Sequence, residues 1–246
     1  MSPTVVVTGG ARGIGLACAM RLARQGVHVE LWDTDQPGLD LAGEQLASLR
    51  LPHSAAVVDV AERDAVTDAV ATLTGRRGAP LIVVNAAGIL RGTRILEITD
   101  SEWAAVLRVC LTGAFVVSQA CLPAMRAAGF GRIVNISSTA GKTVSTLGGA
   151  HYTAAKSGLL GLTRAMAKEA AGWGVTVNAV CPGLIGTEMV YSSIDSEVVR
   201  GYAESFPIPR LGTPDEVAAV VDFLVSEDAA YVTGAAVDVN GGDLMV

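Results

Sequence analysis

Seven short runs rich in β-branched residues recur along the 246-residue chain: TVVVTG, HVELWD, SAAVVDV, LIVVNAAG, GRIVNISS, VTVNAVCPG and AAVDVNGG. Longer Ala/Leu-rich stretches with helical periodicity separate them. Each run is apolar almost throughout rather than at alternate positions, as expected of strands buried on both faces. A parallel sheet makes that demand, because its crossover helices cover both sides. The pattern predicts a single doubly wound α/β domain over residues 1–246. No composition shift marks a second domain, and the length suffices for one large core. The least regular stretch, about residues 186–212, lies between the sixth strand and a late helix and is expected to form a lid.

Composition narrows the partners. Net charge is −6 without a Lys/Arg cluster, which argues against nucleic acid and anionic membrane. The first strand begins almost at once, leaving no room for a secretory signal, and no apolar run reaches the length of a bilayer span. Cys18, Cys110, Cys121 and Cys181 show no paired spacing, and His28, His53 and His151 stand singly. Reduced thiols, a cytoplasmic setting and no metal site are expected.

The first strand leads into TGGARGIG, Thr8 to Gly15, and then a helical stretch. Glycines such as Gly9, Gly13 and Gly15 let the backbone turn tightly and approach a pyrophosphate, which sits over the helix N-terminus. Asp33 closes the second strand at a distance suited to accepting hydrogen bonds from the adenine ribose and repelling a 2′-phosphate, which points to NAD(H). Arg12 pulls the other way if its guanidinium pairs with that phosphate, and is otherwise a solvated loop charge. Thr34, rather than a second basic residue, follows Asp33, so the carboxylate is expected to decide.

These runs, with NAAG at 85–88, NISS at 135–138, YTAAK at 152–156 and PGLIGT at 182–187, resemble the short-chain dehydrogenase/reductase family in order and approximate spacing. The resemblance covers essentially the whole chain. It implies a Rossmann domain with a mostly or wholly parallel seven-stranded sheet in the order 3-2-1-4-5-6-7. By the same resemblance Tyr152 is the general acid/base, Lys156 holds the nicotinamide ribose and favours ionisation of the tyrosine, and Ser138 holds the substrate oxygen. Gly9, Arg12, Gly13, Ile14 and Gly15 would form the phosphate turn, and Asp59 with Val60 the adenine contact. Asn85, Ala86 and Gly88 would lie beneath the cofactor, while Pro182, Gly183, Ile185 and Thr187 would hold the carboxamide end.

By its residues alone the Tyr152 and Lys156 pair reads either as an acid with its tuning cation or as a neighbour pair on an ordinary helix face, and the chemistry suits the first. Hydride transfer to a ketone leaves charge on oxygen, so a proton donor is needed there. A phenol is a poor base at neutral pH unless a fixed ammonium favours the phenolate. A spacing of four on a helix puts both side chains on one face. The resemblance selects Ser138 over Ser137 and Thr139, because the small-residue turn TAG follows it as in the family pattern. His151 either touches substrate or packs.

Cys110 departs from the resemblance, because the family usually has asparagine in that slot. There the asparagine resembles a relay part that holds a water linking the lysine to solvent and accommodates a helix irregularity. A thiol is a weak donor and weak acceptor. Three alternatives stand: the water persists on backbone groups, the relay is rerouted through another polar group, or the site is a weak catalyst kept for binding or carries an engineered substitution.

Leu90, Val144, Leu147, Met189, Val190 and Tyr191, with Ile194 and Phe206, suggest an apolar substrate pocket. The stretches around residues 106–125 and 153–170 are apolar around more than one stripe, and the resemblance implies a homotetramer or homodimer through them. The leading functional reading is an NAD(H)-dependent oxidoreductase interconverting a secondary alcohol and a ketone. The alternatives are an NADPH-dependent 3-oxoacyl thioester reductase and a nucleotide-binding regulatory protein with a weakened site.

Overall fold

A computed structural model describes residues 4–193 and 196–246. Strand β1 (Thr4–Thr8) leads into α1 (Gly13–Ala23), followed by β2 (Val29–Asp33), α2 (Gln36–Ser48), β3 (His53–Val57), α3 (Arg63–Arg77) and β4 (Pro80–Asn85). The second half runs α4 (Asp100–Leu107), α5 (Gly113–Ala128), β5 (Gly131–Ile136), α6 (Ala150–Ala170), β6 (Val175–Pro182), α7 (Glu188–Ser193), α8 (Ser196–Glu204), α9 (Pro214–Val225) and β7 (Ala236–Val239). Among the described residues, these seven strands form one sheet in the order β3-β2-β1-β4-β5-β6-β7, parallel throughout. That is the order the family resemblance implies.

The near-continuous apolar runs now have a physical cause. Val5, Val7, Leu31, Val84 and Val180 face α1, α2 and α9, whereas Val6, Trp32, Val83, Ile133 and Val177 face α3, α5 and α6. Successive residues of one strand therefore enter opposite cores. Full burial of each such side chain contributes about 1.5–3 kcal/mol. Strand β3 stops short of the SAAVVDV run: Val58 still bonds the Asp33 carbonyl, but Asp59 Oδ1 accepts the Ala61 amide at 2.8 Å and turns the chain out of the sheet.

Helices α4 and α5 join through a π turn at Arg108–Thr112 into one helix, Asp100–Ala128, of 29 residues. By length and composition this helix is long and apolar enough to cross a bilayer, which corrects the sequence expectation; Arg108 divides the apolar stretch and hides it from a run-by-run reading. In the fold it packs on β4 and α6, and 44% of its apolar window is buried within the chain. Trp103 and Phe115 remain partly exposed on it.

Candidate active site

The carboxyl ends of the strands carry the site, at the point where the sheet order reverses between β1 and β4. Gly9 adopts φ +65°, and a Cβ there would stand 2.9 Å from the Ala86 carbonyl carbon and oxygen. A Cβ on Gly15 would stand 2.1 Å from the Gly9 carbonyl oxygen. The backbone approach that these positions permit is closed to any other residue. Helix α1 starts at Gly13 without a side-chain cap and without an acidic residue in its first turn, so its first amides are open to an anion. Thr187 lies over Gly13, its Cγ2 3.5 Å from the position of a Cβ there. This cradle fits the pyrophosphate of a dinucleotide.

Thr8 secures the neighbouring turn. Its Oγ1 accepts the amides of Ala86 and Ala87, each at 3.1 Å. The sequence places Thr8 within the glycine motif without assigning it a role; a hydroxyl at a strand end beside a parallel neighbour is the signal that could have found it. Asn85 lies below the cleft lining, which Ala86 and Gly88 of the same turn join. It is buried, and its amide donates to Ser118 Oγ at 3.0 Å and Asn135 Oδ1 at 2.8 Å. Asn135 donates in turn to Thr163, so a polar strut joins β4, β5, α5 and α6 under the site.

Asp33 caps the glycine turn from the next strand: Oδ2 accepts the Ala11 amide at 3.2 Å and Oδ1 the Asp35 amide at 3.1 Å. Arg12 is not a free loop charge. Its guanidinium pairs with Asp35, which also caps α2, and with Glu188 of α7 at 3.4 Å. It thereby ties the glycine turn to the lid. Asp33 and Asp59 lie at the ends of β2 and β3, beyond the cleft itself. The Val60 side chain is turned into the core, with a methyl 2.6 Å from where a Cβ of Gly113 would sit.

Ser138, Tyr152 and Lys156 line one cleft of about 380 Å³. Lys156 is 4% exposed; its Nζ donates to the Ile136 carbonyl at 2.8 Å and sits 5.6 Å from the centre of the Tyr152 ring. Ser137 donates to the Lys156 carbonyl at 3.0 Å, anchoring α6 to β5. Ser138 Oγ accepts the Ala140 amide at 3.1 Å, which leaves its hydroxyl proton for the cleft. Ser137 and Thr139 border the same cleft, but the Ser137 hydroxyl is taken by the Lys156 carbonyl.

Cys110 lies inside the π turn, 1% exposed. Its Sγ meets both the amide and the carbonyl of Ile89 at 3.4 Å. A Cβ on Gly88 would be 3.7 Å from both Cys110 Sγ and Lys156 Nζ, so thiol and ammonium flank the same glycine. The helix irregularity therefore forms with a thiol in the slot. Burial pushes the thiols of Cys18 and Cys121 up to about 12 and that of Cys181 up to about 11, so these three are suited to packing rather than nucleophilic work.

Leu90, Val144, Leu147, Met189 and Val190, the candidate substrate residues, line the same cleft, as do Leu184, Thr146, Tyr202 and Asp243, which the sequence reading did not name. Tyr191 does not line the cleft; it is exposed, with its hydroxyl against Gly186. Phe206 lies behind the wall, packed with Leu184, Val190 and Val199, and Ile194 lies outside the described residues. Tyr202 of α8 meets Phe206 edge to face at 5.2 Å and accepts a hydrogen bond from Thr146 at 3.1 Å, so lid and loop 139–149 touch across the mouth. His151 is buried: Nδ1 accepts the Tyr152 amide and Nε2 bonds Glu102, each at 2.8 Å. It is a packing histidine that pins α4 to the first turn of α6.

The fold and cleft define a dinucleotide-binding domain with a proton donor beside a buried ammonium. A family model described as enoyl-(acyl carrier protein) reductase matches residues 9–243. The chain belongs to the short-chain dehydrogenase/reductase family of nicotinamide-dependent oxidoreductases. It is 40% identical over 242 residues to the acetoacetyl-CoA reductase of Rhizobium meliloti, covering 98% of each chain. A 3-oxoacyl-[acyl-carrier protein] reductase from Brucella melitensis, solved with NAD, matches with TM-score 0.92 and 36% identity over 99% of this chain and 92% of the other. The actinorhodin polyketide ketoreductase solved with NADPH matches with TM-score 0.94 and 36% identity over 98% and 97%.

Proposed function

We propose that the chain reduces the 3-oxo group of an acyl thioester to a 3-hydroxy group. The observation that carries this reading is the complete Ser138, Tyr152 and Lys156 set at the closed end of an apolar cleft, together with the similarity to an acetoacetyl-CoA reductase over both full lengths. The expectation of a general secondary alcohol or ketone as substrate gives way to its thioester alternative on that similarity. A reduced nicotinamide, when bound, supplies the hydride. Ser138 positions the carbonyl oxygen, Tyr152 donates the proton to it, and Lys156 stabilises the phenolate that remains. Gly9, Gly13, Ile14 and Gly15 would hold the pyrophosphate; Pro182, Gly183, Ile185 and Thr187 would hold the nicotinamide end.

NAD(H) is the cofactor this reading favours. Asp33 places a carboxylate at the ribose end, and Arg12 is already matched by Asp35 and Glu188, so a 2′-phosphate gains no free cation there. The uncovered face of the Asp100–Ala128 helix supports a homotetramer or homodimer, and four free, buried cysteines suit a reducing cytoplasm. The test is absorbance at 340 nm with acetoacetyl-CoA and either NADH or NADPH. Turnover with NADH is expected, and Asp33→Ala should narrow the preference about tenfold, or roughly 1.4 kcal/mol. Faster wild-type turnover with NADPH would overturn the cofactor assignment; reduction of simple ketones but not of the thioester would overturn the substrate.

A further inference from the structure

Among the described residues, the cleft wall carries two formally charged side chains, Lys156 and Asp243. Lys156 is committed to the catalytic end through the Ile136 carbonyl. Asp243, an exposed residue of the cleft lining, follows the C-terminal turn after β7, and we place it on the substrate side. That turn is firmly held: Gly241 and Gly242 take φ +65° and +86°, the Gly241 carbonyl accepts the Ile208 amide at 2.9 Å, and a Cβ on Gly242 would meet Pro207 at 2.9 Å. The carboxylate is therefore carried by a shaped backbone that braces the end of the lid segment. No ion pair or side-chain hydrogen bond to Asp243 is present among the described residues, and partial burial pushes its carboxyl up.

A carboxylate so placed accepts N–H or O–H donors and repels anions, and the one cation among the described lining residues, Lys156, is held at the other end by the Ile136 carbonyl. We propose that Asp243 is a specificity residue that favours a neutral, donor-bearing substrate tail and disfavours negative charge beside the reacting carbonyl. This rests on the thioester reading above: the pantetheine arm of such a substrate carries amide N–H donors, whereas the corresponding free 3-oxo acid brings a carboxylate.

Three probes share one reacting group: acetoacetyl-CoA, the neutral ester ethyl acetoacetate, and free acetoacetate. In Asp243→Asn the ratio of kcat/KM for acetoacetate to that for the ester should rise roughly three-fold, the scale of an exposed charge interaction, and added salt should narrow the gap between wild type and variant. Asp243→Ala should reproduce the rise and also raise KM for acetoacetyl-CoA with kcat retained. An equal change for acid and ester, or none, overturns the proposal. Reduction of the ester without acetoacetyl-CoA defeats the thioester reading but leaves the acid-to-ester ratio as the test of Asp243. Where turnover is absent, dissociation constants from quenching of NADH fluorescence in the protein–NADH complex give the same ratio, and a rise or its absence decides for or against Asp243 in the same way.

Discussion

The cleft wall made by β1, α1 and the turn after β4 is held by backbone, whereas the wall made by residues 139–149, α7 and α8 is held by side chains. On the first wall Gly9 and Gly15 touch carbonyl atoms that cannot move without opening the sheet, and Thr8 and Asp33 spend their oxygens on main-chain amides. On the second, a small apolar group around Leu184, Val190, Val199 and Phe206 meets the loop through Leu147 and a Thr146 to Tyr202 hydrogen bond. Backbone contacts leave one residue type acceptable at a position; apolar contacts leave several. A dinucleotide presents the same phosphates to any protein that binds it, while acyl substrates differ, so rigid and adaptable walls suit their respective ligands.

The largest effect is expected at the backbone wall. Gly15→Ala pushes a methyl into the Gly9 carbonyl, an overpacking strain of about 1–3 kcal/mol, and should weaken NADH binding at least about tenfold in a fluorescence titration and lower Tm. Unchanged affinity would mean that this wall is not set by backbone contact. Met189→Ala on the opposite wall should leave NADH binding intact and reduce KM discrimination among ketones of different bulk about five-fold, roughly 1 kcal/mol of lost apolar contact. If NADH affinity fell with it, the two walls would be coupled rather than separate.

Cys110→Asn probes the seam between the walls. It exchanges a weak donor and acceptor at Ile89 for stronger ones, about 1 kcal/mol, and turnover should be kept or raised by a few-fold in steady-state assays. Loss of most activity in a folded variant would reject the relay account, and activity confined to the variant would mean that the thiol holds the site silent.

The smallest effect lies at the foot of the lid. There Arg210, with the Thr213 amide, holds the Glu216 carboxyl at about 2, below its ordinary 4.5, and Glu216 with Thr213 forms the capping box of α9. Because the folded value is depressed, the contribution is present above about 4.5 and lost as pH falls toward about 2. Chemical denaturation of Glu216→Gln should show slightly lower stability than wild type at pH 7 and a vanishing difference at pH 2. The pair is solvent-screened, so a large difference at neutral pH would require a second role for Glu216.

Much of the fold was legible because the strands are buried on both faces, which writes seven apolar runs directly into the chain. The phosphate turn was legible for a related reason: the conformations of Gly9 and Gly15 exclude every side chain. Tyr152 and Lys156 were legible because both lie on one helix, where a spacing of four suffices to bring them to one face. Sequence alone thus determined the layers of the fold, the glycine cradle and the placing of Tyr152 and Lys156 on one helix face.

Tertiary structure decided what depends on contacts between distant segments. It gave Arg12 two carboxylate partners, one of them 176 residues away, turned Tyr191 out of the cleft, buried His151 against Glu102, and brought Asp243 to the substrate wall. Local periodicity reports which face of a helix or strand is apolar. It is silent on which side chains from separate loops converge, because that depends on how the sheet twists and how the lid settles upon it.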